Sequence, residues 1–275
     1  SFRHAIQKPI DTLIERMKQV ARGDFSTRSS VLSSDEIGTL KAHFNTMVEG
    51  LEERERIRDT FGRYVSMEIA EKIMKSGSVD LEGEEITTTV MFADIRSFTS
   101  LSERHSPRSL VTFLNDYFGY MVEPILDHHG VVNKFIGDSI MAVFSPVFGV
   151  QRHAYEAILA GLDMRTALDR FNDTAGYEPI RQGVGVHTGV LVAGSVGTQV
   201  RREYTVIGDT VNVASRIESQ TKVFETDLLV SSETVDLLPE AERKVLGLEP
   251  TEPVTMRGKS APMVLYTVSG VSGGA

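Results

Sequence analysis

The stretch from Val90 to Thr99 (VMFADIRSFT) constrains this chain more than any other. Thr87 to Phe92 is β-branched and aromatic enough for a buried strand, and Asp94 stands where that strand stops. Hydroxyl residues then open a helix. A carboxylate at a strand end can hold a hard divalent cation, and the free N–H groups of a helix start can hold an anion. Cation and phosphate side by side suggest a nucleoside triphosphate site.

The bulk numbers leave room for that reading and close others. The 275 residues suffice for one large domain, or a medium one with a small companion. A net charge of −9, with Lys and Arg scattered rather than striped, argues against a nucleic-acid partner. The absence of Cys excludes disulfides, Cys-ligated zinc and thiol catalysis, and fits a reducing compartment. No run reaches the about 18 apolar residues that a membrane span needs. The chain opens at Ser1 in a helical pattern and without Met, so we expect an upstream part, with a membrane anchor, to precede it.

Residues 1–52 read as two short helices and a connector. Pro9 suits a first helical turn. Ile10, Leu13, Met17 and Val20 then fall at a/d spacing, and Gly23 with Asp24 stops the helix. Phe25 and Val31 are apolar points in a polar connector. Asp35 and Glu36 open a second helix, along which Ile37, Leu40, Phe44, Met47 and Leu51 continue in steps of three and four. Two helices so short, with seams so narrow, cannot bury themselves alone; a dimeric four-helix bundle is the natural solution. On Pro9, the Gly23 connector and Asp35-Glu36-x-Gly38, this part resembles a HAMP domain, a signal relay that usually follows a transmembrane helix in bacterial receptors.

Glu52 to Arg58 is a charged run that interrupts the seam, and Ile57, Phe61, Tyr64 and Val65 resume it in a shifted phase. Residues 53–84 are thus expected to form a coupling helix and, from Ser76, a Gly-rich linker. A seam that changes phase between two dimeric modules could carry rotation or a register shift.

From Thr87 onward strands and helices alternate. Ser106 and Pro107 start a helix whose apolar face runs from Leu110 through Phe113, Tyr117 and Met121 to Ile125. Short strands at Val131–Val132 and Ser139–Phe144 flank the turn pair Gly137-Asp138. A helix with Ala154, Ile158, Leu162 and Phe171 on one face follows, then strands at 182–188 and 191–194, a hairpin from Gly197 to Tyr204, and a helix from about Thr210. The order β-α-β-β-α-β is ferredoxin-like, and the predicted class is α+β, preceded by an all-α pair.

Asp138 offers a second carboxylate, and with Asp94 it makes a two-carboxylate site for two divalent ions, the arrangement used for in-line displacement at phosphorus. Three segments now stand together: Phe92 to Thr99, Lys134 to Asp138, and Tyr204 to Arg216. In this order and spacing they resemble the class III nucleotidyl cyclases, over roughly residues 85–270. That family converts a nucleoside triphosphate to the 3′,5′-cyclic monophosphate and pyrophosphate, as a dimer with active sites at the subunit interface.

The resemblance implies that Asp94, Asp138 and the Ile95 carbonyl bind two Mg²⁺ or Mn²⁺ ions. It sets Phe92, Ser97, Phe98 and Thr99 along the substrate. Lys134 matches the family's purine-reading lysine and Thr205 its partner, a Thr typical of one bacterial subclass. A Lys donor with a Thr hydroxyl suits N1 and the N6 amino group of adenine, whereas guanine would need an acid at Lys134. ATP is therefore the expected substrate. Asn212 and Arg216, four apart on one helix face, match the ribose-orienting Asn and the transition-state Arg, with Val213, Ala214 and Ile217 buried opposite. Lys259 matches a triphosphate-contacting lysine. The implied protein is a homodimeric adenylyl cyclase under HAMP control, forming the cytoplasmic portion of an inner-membrane protein. Two other readings are a non-catalytic nucleotide-binding or dimerisation module, against which the intact Asp94, Asp138, Asn212 and Arg216 speak, and a guanylyl cyclase, against which Lys134 speaks.

Three further features are set aside. Gly258-Lys259-Ser260 ends like a P-loop, but Pro253 stands where the first glycine belongs. Gly183, Gly185 and Gly189 have the wrong spacing for a dinucleotide loop. His187, inside a strand, reads as a hydrogen-bonded structural residue. The basic pair Arg201-Arg202 is expected on an exposed hairpin.

Overall fold

The computed structural model describes residues 6–31, 34–62, 83–198, 202–256 and 261–270. Contacts divide the chain into two units, Ser1–Ala70 and Glu71–Ala275, and each is described by itself.

In the first unit α1 (Lys8–Ala21) begins with Pro9 in its first turn, and α2 runs from Glu36 to Gly62. Gly23 (φ +94°) takes the left-handed conformation just past the end of α1, where a side chain would be strained. Asp35 caps α2 by accepting the Gly38 N–H at 2.9 Å. The connector is pinned to α2 by Asn45, whose amide accepts the Ser29 N–H at 2.8 Å and donates to the Ser29 carbonyl at 2.9 Å. Leu13, Val20, Phe44 and Val48 are buried between the helices, while Ile10, Met17, Leu40 and Met47 of the same seams stay exposed. Half of each seam is used within the chain. The other half faces outward. α2 passes through the charged run at Glu52–Arg58 without a break. The side chains of Ile57 and Phe61, together with Tyr64, Val65, most of the linker, and Arg201, lie outside the described residues.

The second unit is α+β. Its elements are β1 (Glu84–Ile95), α3 (Phe98–Glu103), α4 (Pro107–Asp127), β2 (Val131–Ile136), β3 (Ser139–Phe144), α5 (His153–Thr174), β4 (Gln182–Gly197), β5 (Arg202–Ile207) and α6 (Asp209–Gln220). They are followed by β6 (Leu228–Ser231), α7 (Ser232–Val235), α8 (Glu240–Val245), β7 (Leu248–Pro250) and β8 (Leu265–Val268). The sheet order is β2-β3-β1-β4-β6-β8-β7, with β5 paired to β4. Strands β2, β3, β1 and β4 pair antiparallel, which with α4 and α5 as the two crossovers completes the ferredoxin-like core.

Alternation along β1 sorts the two faces. Met91, Ala93 and Ile95 pack with Phe113, Tyr117 and Phe171 of α4 and α5, and Val90 and Phe92 pack with Met141 and with Ala214 of α6 on the other side. Ser106 caps α4 by accepting the Ser109 N–H at 3.2 Å. The two strands read at 182–188 and 191–194 are one strand of 16 residues. Gly189 is not a break. A Cβ there would meet Thr210 Oγ1 at 2.6 Å, and one on Gly185 would fall 2.2 Å from the Glu218 nitrogen. These glycines clear the sheet face so that α6 lies directly on β4. His187 is buried and shares a 2.8 Å hydrogen bond with the Ser231 hydroxyl, the structural role expected of it.

Between α4 and α5, His128 is clamped by two acids: Nδ1 to Glu156 at 2.9 Å and Nε2 to Asp163 at 2.8 Å. Burial pulls the imidazole pKa down, but the hydrogen bonds to Asp163 and Glu156 outweigh it, and the net shift is upward from 6.5. A group with a raised folded pKa adds stability that is present below its unfolded value and lost as pH rises through the folded one. The melting temperature is therefore expected to fall as pH rises above about 6.5, and His128→Asn to flatten that part of the profile. An unchanged profile in the variant would show that the clamp contributes nothing. Among the described residues no helix is long and apolar enough to cross a membrane.

Candidate active site

The site is built at the end of β1. Asp94 and Ile95 are its last two residues, paired in register with Gly183 and Gln182 of β4. The strand end is held from below: Tyr117 donates to Gln182 Oε1 at 2.9 Å, and Gln182 Nε2 donates to the Met164 carbonyl at 3.2 Å. Asp138 occupies the β2–β3 turn, which closes because Gly137 (φ +64°) adopts the left-handed conformation. Asp138 Oδ2 accepts the Ile95 N–H at 3.3 Å, and Ser139 Oγ donates to Asp94 Oδ1 at 2.6 Å. The two predicted carboxylates, 44 residues apart in sequence (138 − 94), thus meet at one point.

Their electrostatics follow from that meeting. Burial, and then the hydrogen bond and negative charge of Asp94, push the Asp138 carboxyl up to about 7. The raised Asp138 carboxyl keeps its proton toward neutral pH unless a cation takes its place. The donor set is all oxygen, half-buried, with one carboxylate on each of two chain segments, and this fits Mg²⁺ or Mn²⁺. Among the described residues no group of three His, Cys, Asp or Glu side chains forms a metal cluster. An ion of the Mg²⁺ kind takes one or two carboxylates and leaves its other positions to water and substrate phosphates.

Because the native carboxyl binds its proton more tightly than an ordinary aspartate at 3.8, the cation-free chain is expected to lose stability as pH rises from about 4 through about 7. Thermal melts with chelator at about pH 5 and about pH 8 measure this. Mn²⁺ should restore more at the higher pH, and Asp138→Asn should abolish most of the difference. Equal gains at both pH values would refute the raised Asp138 carboxyl.

The remaining predicted residues fall into place unevenly. Ser97 is exposed and left-handed (φ 59°). Phe98 packs half-buried against the main core, and Thr99 is exposed on the first turn of α3. Phe92 is buried beneath the site in the cluster with Met141 and Ala214. Lys134 is half-buried on β2, just past a register shift at Asn133. The Thr205 hydroxyl donates to Asn133 Oδ1 at 3.3 Å, so Thr205 is tied to the residue next to Lys134. Asn212 is exposed and Arg216 half-buried on α6, while Val213, Ala214 and Ile217 are buried on its other side. Lys259 lies outside the described residues.

Sequence reasoning missed Ser139, the Tyr117–Gln182 brace and Glu218. Glu218 is 6% exposed on α6, and burial, then the charge of Asp94, push its carboxyl up to about 7. The signal that could have found it was the glycine alternation at 183 and 185, a bare strand face that only another backbone could cover.

The model described as adenylate and guanylate cyclase catalytic domain matches residues 82–270, and the HAMP domain model matches residues 2–53. The chain belongs to the class III adenylyl and guanylyl cyclase family and carries a HAMP domain ahead of the catalytic one. It is 39% identical over 259 residues to the uncharacterized protein Rv1320c of Mycobacterium tuberculosis, covering 94% of this chain and 44% of that protein. With Rv1319c of the same organism it shares 36% identity over 254 residues, 92% of this chain and 46% of that one. The chain thus spans a little under half the length of these relatives. Among solved structures it resembles the guanylyl cyclase Cya2 (34% identity, TM-score 0.60, 69% of this chain and 95% of that one). It also resembles the adenylyl cyclase CyaB from P. aeruginosa (30% identity, TM-score 0.60, 70% and 98%). A bacterial light-regulated adenylyl cyclase shares the fold at 21% identity, with a TM-score of 0.71 over 82% of this chain and 65% of that one.

Proposed function

We propose that the chain is an adenylyl cyclase that converts ATP to 3′,5′-cyclic AMP and pyrophosphate as a homodimer. The observation that carries the reading is the meeting of Asp94 and Asp138 at the end of β1. Cyclases of both base specificities are among the similar structures, so the choice of purine rests on Lys134 and Thr205.

In this reading Asp94, Asp138 and the Ile95 carbonyl hold two Mg²⁺ or Mn²⁺ ions. When bound, these supply Lewis-acid polarisation of the triphosphate and the 3′-hydroxyl. The exposed turn at Ser97–Thr99 receives the triphosphate beside them, with Phe92 and Phe98 shaping the floor and Lys259 reaching its phosphates. Lys134 donates to N1 of adenine, and the Thr205 hydroxyl accepts from the N6 amino group. Asn212 orients the ribose. Arg216 stabilises the charge that grows on the α-phosphate as O3′ attacks and pyrophosphate leaves. Metal ligands come from one subunit, and Lys134, Thr205, Asn212 and Arg216 from the other. The HAMP domain relays a signal through the segment 53–84, and an upstream sensor with a membrane anchor holds the chain on the cytoplasmic side of the inner membrane. The outward half-seams of α1 and α2 support pairing of the relay.

The deciding assay measures cyclic-nucleotide formation by the purified chain with ATP or GTP, in Mg²⁺ or Mn²⁺. Cyclic AMP is the expected product. Cyclic GTP-derived product alone would overturn the purine assignment, and no product from either nucleotide would favour the non-catalytic module.

A further inference from the structure

Among the described residues, Oε1 of Glu218 is the buried side-chain atom without a hydrogen-bond partner. The residue is 6% exposed, and its other oxygen has only a long contact, 3.4 Å, from the Ser219 hydroxyl. A buried carboxyl oxygen left in this state is costly, and a fold that keeps one calls for a reason.

Its position supplies one. Oε1 shares the notch left by Gly183 with the Thr221 hydroxyl: an added Cβ would fall 2.2 Å from Thr221 Oγ1 and 2.8 Å from Glu218 Oε1. Gly183 is the β4 residue paired with Asp94. The charge of Asp94 acts on Glu218, and the Tyr117 hydroxyl feels Asp94, Asp138 and Glu218 together. The cations that face Glu218 are Arg96 and Lys222. Arg96 is already engaged, donating to the carbonyls of Gln182 and Thr226. A third carboxyl therefore stands close to the pair at the end of β1, yet outside any three-carboxylate cluster. It is delivered by α6, two residues beyond Arg216.

Resting on the cyclase reading above, we propose that Glu218 is a positioning residue for the cation site: a carboxyl set behind Asp94 and Asp138 that strengthens their hold on a divalent cation and ties that binding to the seating of α6. An anionic group just outside the ligand shell adds to the attraction for a cation, because the partly buried setting screens it less than water would. Losing an outer group that is hydrogen-bonded to a ligand typically costs ten- to a hundredfold in metal affinity, which sets the upper range for a carboxyl acting through space. The notch also makes the contact mutual. Gly183 has no side chain, so the Glu218 carboxyl and the Thr221 hydroxyl, just past the end of α6, together close onto the strand that backs Asp94.

The test is a Mn²⁺ titration of the full chain without nucleotide, followed by electron paramagnetic resonance. It is run on the wild type and on Asp94→Asn, Glu218→Gln and Glu218→Asp, with a melting curve for each. Asp94→Asn should lose binding. Glu218→Gln should bind about ten- to a hundredfold more weakly, and Glu218→Asp, which keeps the charge, should recover part of that loss. Hydrogen exchange should slow along residues 209–220 when Mn²⁺ is added to the wild type, and slow less in Glu218→Gln. Wild-type affinity in both folded Glu218 variants would overturn the inference while leaving the cyclase reading intact. If Glu218→Gln does not fold, the Glu218→Asp titration decides alone. A wild-type chain whose Mn²⁺ binding is untouched by Asp94→Asn would overturn the cation site itself, and this inference with it.

Discussion

Chains carrying Asp94→Ala or Arg216→Ala are each expected to lose cyclic-nucleotide formation by about a thousandfold or more, and to regain it when mixed. Removing Asp94 leaves Asp138 as the only acidic ligand of the pair and releases the Ser139 hydroxyl that it holds at 2.6 Å. Removing Arg216 takes away the one cation that α6 offers to the α-phosphate in the proposed mechanism. Neither change disturbs the core: Asp94 and Arg216 are half-buried, and the residues that seat α6 are Val213, Ala214 and Ile217. If each site takes its metal ligands from one chain and its arginine from the other, a mixed dimer holds one complete site and one doubly damaged site. Free exchange in an equal mixture then gives about a quarter of wild-type activity. A mixture shown to contain mixed dimers but no activity would sink the shared site. Activity in either single variant would instead show that its residue is not needed.

The second large effect concerns the base. Lys134→Glu is expected to cut the kcat/KM for ATP by roughly a hundredfold, the loss of a charge-assisted hydrogen bond to N1, and to raise that for GTP. The change should stay confined to recognition, since Lys134 lies on β2 past the register shift while Asp138 closes the turn beyond it. Both nucleotides assayed side by side give the ratio. A variant that loses both substrates equally would place Lys134 in positioning rather than in purine choice.

Much of this was legible in the sequence because local chemistry and the tertiary fold agree there. The strand that stops at Asp94, the Ser106 cap and the Gly137–Asp138 turn are each written in a few adjacent residues, and each is present. The apolar face of α4 was legible for the same reason: Phe113, Tyr117, Met121 and Ile125 repeat at helical spacing and are all buried. What escaped was settled by contacts distant in sequence. Gly189 reads locally as a break, yet β4 continues through it because β1 pairs with it there, Thr88 opposite Gly189, and Thr210 occupies the space a side chain would take. Strands β6, β7 and β8 are of three or four residues, too short for a period to register, and owe their existence to pairing with neighbours in the sheet, β6 with β4 and β8, and β7 with β8. Glu218 reads as an ordinary charged helix residue. Nothing within ten positions of it announces that Gly183 leaves room for its carboxyl.

The uninterrupted length of β4 has a consequence for inheritance of defects. One end, at Gln182 and Gly183, braces the Asp94 strand of its own chain, and the other, at Gly194, pairs with Thr205. In the proposed dimer these ends serve different catalytic centres, so a lesion that shifts β4 damages both at once. Lesions at Asp94 or Arg216 leave a mixed pair half working and should behave as recessive. A lesion in the middle of β4 should poison every partner it meets and behave as dominant.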